Sequence, residues 1–125
     1  MKGTVEMIKG IGMDLIELDR IQKSIERNKR FIDRVLTEKE KKTYVLLTSP
    51  KRQVEYVAGR FAAKEAFAKA VGTGIGRLSF QDMDVMNDEH GAPNITVKGY
   101  DHVTIFLSIT HSRDYAAAQV VLEEK

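Results

Sequence analysis

The sequence predicts an α+β fold, on three observations. Helical apolar spacing fills much of the first half, apolar and β-branched runs separated by turn residues fill the second, and two capping signatures mark where helices begin. Val5 to Leu15 reads as a strand, an apolar run interrupted by Gly10 and Gly12. Leu18 to Leu36 has helical spacing, with Ile21, Ile25, Ile32 and Val35 on one side. At about 100° per residue, Arg20, Lys23, Arg27, Arg30 and Arg34 form a stripe nearly opposite them. The Asn28-Lys29 pair can break this segment into two helices. Thr37-Glu38-Lys39-Glu40 has the spacing of a capping box and opens a short helix through Tyr44 and Leu46. Ser49-Pro50 opens the next, a cap followed by proline in the first turn. That helix runs from about Lys51 to Val71 and stops at Gly72. Its alanines and aromatics fall on several sides, which predicts a central, mostly buried helix. Met83 to Asn87 and Asn94 to Lys98 are strands around a turn containing His90-Gly91-Ala92-Pro93. Val103 to Thr110 and Tyr115 to Leu122 flank His111-Ser112-Arg113-Asp114.

Composition narrows the class. At 125 residues, 42% hydrophobic and 30% charged, the chain is expected to form one globular domain over 1–125, with a neighbouring subunit needed to wall a deep cleft. There is no cysteine, so disulfides, thiolate metal sites and cysteine nucleophiles are excluded. No apolar run approaches a membrane span and the N-terminus lacks a signal-peptide core, so a soluble, cytoplasmic protein is expected. The net charge of +2 is unevenly spread. Arg20 to Lys42 holds nine basic residues against four acidic, whereas Asp82 onward holds three against eight. One basic region on a near-neutral chain suggests a docking face for an acidic partner.

Glu65 is the most informative residue. It lies among Val54, Val57, Ala58, Phe61 and Ala68 on the helical wheel, where a carboxylate is costly without a cation or donors. An ion pair with Lys69, four residues on, is the simpler explanation. Asp14 ends an apolar strand on the face shared by Gly10 and Gly12, whose missing side chains leave room for a ligand. Its alternative role is to cap the following helix, a task for which Asp19 is better placed. Two carboxylates on separate elements, without histidine or cysteine beside them, suit magnesium rather than zinc. Lys51 and Arg52 at a helix start, with Arg60, Lys64 and Lys69, would add an anion site for a polyphosphate. A solvated basic face is the alternative. The Gly72-Thr-Gly-Ile-Gly76 run closes a helix instead of opening one, so it reads as a C-cap and not a phosphate loop. His111 lies in a turn beside Thr110 and Ser112, and by itself is a turn histidine as readily as a ligand. His90 and His102 receive no role, and no serine–histidine–aspartate spacing suggests a hydrolase.

Three stretches then resemble the motifs of the short phosphopantetheinyl transferases, most of all the bacterial holo-[acyl-carrier-protein] synthases. They are Gly10-Ile-Gly-Met-Asp14-Leu-Ile-Glu-Leu-Asp-Arg20-Ile, Gly59-Arg-Phe-Ala-Ala-Lys64-Glu65-Ala-Phe-Ala-Lys69-Ala and Ser108-Ile-Thr-His111-Ser. The likeness extends from about Ile8 to Val121, and Met1 to Met7 is longer than the family usually carries. Phe61, where larger two-repeat relatives often have tryptophan, favours the short class. The resemblance implies a long buried helix with shorter helices packed on an antiparallel sheet. It implies that Asp14 and Glu65 hold Mg2+ with the diphosphate of coenzyme A, and that Lys69 neutralises charge near the reacting phosphate. Lys51, Arg52, Arg60, Lys64, His111 and Ser112 would face the 3′-phosphate and nucleotide end. Arg20, Arg27, Arg30 and Phe31 would meet an acidic helix of the acyl carrier protein. A homotrimer with active sites between subunits is also implied.

The implied reaction, part of fatty acid biosynthesis, is displacement at the β-phosphorus of coenzyme A. A carrier serine attacks and 3′,5′-ADP leaves, with Glu65 or a metal-bound water taking the serine proton. Two rivals stand beside it: a nucleic-acid-binding module using the Arg20–Lys42 basic region, and a structural trimer keeping a relic of the site. Few aromatics lie near the basic region to stack bases.

Overall fold

The computed structural model of the chain describes residues 7–75 and 78–125. In order they form β1 (Ile8–Glu17), α1 (Leu18–Arg27), α2 (Phe31–Val35), α3 (Glu38–Tyr44) and α4 (Pro50–Val71). A short 3-10 turn at Phe80–Asp82 follows, then β2 (Met83–Asn87), β3 (Pro93–Val97), β4 (Val103–His111) and β5 (Tyr115–Glu124). The expected α+β class holds. No helix among the described residues is long and apolar enough to cross a membrane.

Local chemistry explains the helix boundaries. Thr37 accepts the Glu40 amide while the Glu40 carboxylate accepts the Thr37 amide, the reciprocal capping box its spacing predicts. Ser49 accepts the Arg52 amide and Pro50 enters at the first turn of α4. At the far end Gly72 takes the left-handed conformation, φ 81°, and the amides of Gly72, Thr73 and Gly74 all turn back to the Ala68 carbonyl. The glycine run is therefore a helix stop, as its position after the apolar stretch predicts; Gly76 lies outside the described residues. Between α1 and α2 the chain breaks at Asn28, whose extended backbone ends α1. The basic stripe is accordingly divided between two helices.

The strands form two sheets, not one. β1, β5 and β4 make an antiparallel sheet in that order, and β2 and β3 make a separate hairpin. Registers of β1 with β5 and of β5 with β4 align Gly12, Val120 and Leu107 across one face, then Asp14, Ala118 and Ile109, then Ile16, Ala116 and His111. Alternation puts Ile11, Val121 and Phe106 in one row on the opposite face. β1 reaches two residues past its expected end, and the predicted start at Val5 lies outside the described residues.

Helix α4 crosses the first face of this sheet. Val57, Ala58, Ala62, Ala63, Ala66, Phe67 and Ala68 are all fully withdrawn from solvent, so burial occurs around most of its circumference. Alanines let helix and sheet approach closely, and β1 completes the fit with glycine. A Cβ on Gly12 would stand 1.9 Å from the Ala66 carbonyl oxygen, and one on Gly10 would stand 2.1 Å from that of Ala70. This corrects the sequence-based expectation: the space beside Asp14 belongs to the backbone of α4 and not to a ligand.

Candidate active site

Asp14 follows Gly10 and Gly12 on the face that meets α4, and the glycines bring it within reach of that helix. Lys69, near the end of α4, places Nζ 3.0 Å from Asp14 Oδ1 and donates to the Met13 carbonyl at 2.9 Å. The expected partner of Lys69 was Glu65; the ammonium bridges to β1 instead. Nor does Asp14 cap α1, whose N-cap is Glu17 without a side-chain cap bond, while Asp19 pairs with Lys23 at 2.9 Å. Glu65 is half-buried and makes no hydrogen bond or ion pair among the described residues. Burial pushes its carboxyl above the usual range, the Asp14 charge pushes it further, and Lys69 partly offsets both. Two carboxylates thus converge with one ammonium between strand and helix.

This donor set fits magnesium. Its ligands are hard oxygens, Glu65 has unused acceptor capacity, and the mutual repulsion of the carboxylates would be relieved by a cation. No third aspartate, glutamate or histidine completes a metal-sized cluster among the described residues, so remaining positions would fall to water and phosphate oxygens.

The residues expected at the nucleotide end gather elsewhere. Lys51 and Arg52 are exposed on the first turn of α4, where the helix dipole adds to their charge. His111 Nε2 lies 3.0 Å from the Glu55 carbonyl, and Gly59 makes space for the imidazole: a Cβ there would come within 3.2 Å of Nε2. Ser112 Oγ accepts the Tyr115 amide and so closes the β4–β5 turn. A cleft of about 590 Å3 opens beside this end, lined in part by Lys51, Val54, Arg113 and Tyr115 but by neither Asp14 nor Glu65. Lys51 and Glu65 are fourteen positions apart on α4, or about 21 Å at 1.5 Å per residue. Lys51 therefore stands well apart from the carboxylate pair, while His111, packed over Gly59, lies nearer to it.

Two of the expected cations are turned inward. Lys64 is fully buried: Nζ meets Glu40 Oε1 at 2.6 Å and the Val35 carbonyl at 2.7 Å. Burial lowers its pKa while the Glu40 charge opposes that. Lys64 has no access to coenzyme A, and the sequence-based assignment is corrected. Its neighbours explain why, since positions 60, 61, 67 and 68 surround it with buried or packed side chains. Arg60 is 7% exposed, stacks 4.0 Å over the Tyr56 ring and donates to the Val85 carbonyl. Only its terminal nitrogen reaches outward, to the exposed Asn87.

On the docking side Arg20, Arg27 and Arg30 are exposed, as expected. Phe31 is not: it is 8% exposed, with its ring 6.2 Å from Phe61. The correction has a simple cause, because the break at Asn28 turns α2 so that its first residue enters the core. Sequence reasoning missed Glu40, taken only as a capping residue. It also missed Tyr56, whose hydroxyl donates to the Glu40 carbonyl at 3.1 Å.

Comparison with known proteins identifies the family. The family model of the 4′-phosphopantetheinyl transferase superfamily matches residues 10–120. A holo-[acyl-carrier-protein] synthase of Oceanobacillus iheyensis is 60% identical over 119 residues, covering 95% of this chain and 99% of that one. The crystal structure of such a synthase from Bacillus anthracis, in complex with CoA (3′,5′-ADP), superposes with a TM-score of 0.88 at 49% identity, covering 96% of this chain and all of the other. The Helicobacter pylori enzyme in complex with coenzyme A gives 0.77 at 36% identity, over 90% and 98% of the chains. The chain belongs to the 4′-phosphopantetheinyl transferase superfamily, in the family of the holo-[acyl-carrier-protein] synthases.

Proposed function

We propose that the protein transfers the 4′-phosphopantetheine group of coenzyme A to a serine of apo-acyl carrier protein, releasing 3′,5′-ADP. The observation that carries this reading is the convergence of Asp14, Glu65 and Lys69 in a chain whose relatives are synthases solved with coenzyme A. Asp14 and Glu65 would hold magnesium. When bound, it supplies Lewis acidity and a template for the diphosphate. Lys69, held to β1 through Asp14 and the Met13 carbonyl, would neutralise charge on the departing phosphate. Glu65, or a water on the metal, would take the serine proton. Lys51, Arg52 and His111, with the outer nitrogen of Arg60, would take the 3′-phosphate and nucleotide. Arg20, Arg27 and Arg30 would orient the acidic carrier.

The separation of the two groups along α4 supports a site shared between subunits. The outer face of the three-stranded sheet supports the homotrimer expected from the family: Ile11, Met13, Leu15 and Phe106 are 62%, 59%, 63% and 52% exposed. A row of large apolar side chains of this kind marks an interaction surface. The nucleic-acid reading has nothing comparable, and Lys23 and Lys41 of the basic region are already paired with Asp19 and Asp33.

The direct assay incubates the protein with apo-carrier, coenzyme A and magnesium and weighs the carrier. Gain of one phosphopantetheine mass, abolished by EDTA, is the expected result. A carrier of unchanged mass under saturating conditions would contradict the proposal.

A further inference from the structure

Glu40 and Lys64 are each fully withdrawn from solvent, yet neither takes part in the proposed chemistry. Their contacts reach four segments. Lys64 on α4 donates to Glu40 on α3 and to the carbonyl of Val35, the last residue of α2. Glu40 accepts the Thr37 amide at 2.8 Å and the Val85 amide of β2 at 2.6 Å. Lys64 immediately precedes Glu65, while Val35 ends the short helix that follows Arg27 and Arg30. These short contacts therefore tie the end of α2, the helix that Arg30 precedes, to α4 at the residue before Glu65.

Charge-assisted hydrogen bonds are strong and directional, whereas apolar packing has little direction. An apolar core of the same volume could hold these segments together and still let α2 slide along α4. We infer that Glu40 and Lys64 are positioning residues that keep α2, and the carrier-facing Arg30 at its start, in register with Asp14 and Glu65. This inference rests on the transferase reading. In-line transfer needs the carrier serine placed closely, and a shift of about 1 Å costs on the order of 100-fold in rate.

The test is the double variant Glu40→Leu/Lys64→Met, which fills the same space without polar contacts. Three experiments are run: thermal unfolding, calorimetry for coenzyme A affinity with magnesium, and steady-state kinetics for kcat and KM with apo-carrier. The expected result is a folded protein whose coenzyme A affinity stays within about twofold while kcat/KM for the carrier falls at least about tenfold. If the double variant fails to fold, Glu40→Gln carries the test. It keeps the side-chain shape, and a fall of about threefold or more is expected, again with coenzyme A affinity unchanged. A folded variant with wild-type kcat/KM, or a loss that tracks coenzyme A affinity, overturns the inference. Absence of transfer by the wild type would sink the functional reading and this inference with it. Transfer by the wild type that the folded variant matches would sink the inference alone.

Discussion

Replacing Gly12 with alanine probes how the fold delivers Asp14. Gly12 is not in the left-handed region, so alanine meets no backbone penalty in the strand, and only space opposes it. The new Cβ would lie 1.9 Å from the Ala66 oxygen and 2.8 Å from the Ala70 nitrogen, where ordinary contact begins at 3.4 Å. These atoms are helix backbone and cannot rotate aside. β1 must retreat from α4 by about 1.5 Å, the difference between 3.4 and 1.9 Å, carrying Asp14 away from Lys69 and Glu65. Overpacking of this kind costs about 1–3 kcal/mol, and displacement of a reacting group by about 1 Å costs on the order of 100-fold in rate. Urea denaturation and carrier phosphopantetheinylation on the same preparations read both. Gly99→Ala is the control: its φ of +84° meets nothing within 4 Å, so it should cost about 1–2 kcal/mol of backbone strain and no activity. A Gly12→Ala protein within about 0.5 kcal/mol of wild type and fully active would refute the close-packing account.

The remaining predictions concern charge. In metal-free protein the raised Glu65 carboxyl keeps a proton that the unfolded chain releases, so its contribution to stability is full below the ordinary carboxylate range and lost as pH rises through the raised value. Glu65→Gln should therefore abolish transfer while raising the thermal midpoint of the metal-free protein at neutral pH; an unchanged or lowered midpoint contradicts the assignment. The same shift means magnesium must displace a proton as pH falls, so apparent magnesium affinity should weaken toward acid pH, and more steeply in wild type than in Glu65→Gln. Lys64→Met leaves the Glu40 carboxylate buried without its cation and should destabilise the fold by about 3–5 kcal/mol in denaturant titration. Arg20→Glu should raise KM for the carrier and flatten its salt dependence, with coenzyme A affinity unchanged by calorimetry.

Helix ends were legible because their determinants are local. Thr37 with Glu40, Ser49 with Pro50, and Gly72 each act within one turn, and each boundary falls where its chemistry places it. Asp14 and Glu65 were also legible, since a carboxylate in an apolar pattern needs a reason. Their surroundings were not. That Lys69 would cross to β1, and that Gly10 and Gly12 would seat a helix, depend on the pairing of β1 with β5, a contact spanning the whole chain. Lys64 illustrates the same limit. It sits in the same apolar run as Glu65, and the reasoning that singled out Glu65 applied to it equally. Its partner, 24 residues earlier, could not be found without the fold. Phe31 went astray because the helix break at Asn28 changed which side of α2 meets the core.

The central claim is that Asp14 and Glu65 share one divalent ion with the diphosphate of coenzyme A. A crystal structure of the protein soaked with coenzyme A and Mn2+, using the anomalous signal of manganese to locate the ion, tests it most directly. The account predicts a single manganese peak touching a carboxylate oxygen of each residue and an oxygen of the diphosphate. Manganese bound away from either carboxylate, with the diphosphate well ordered, would contradict it.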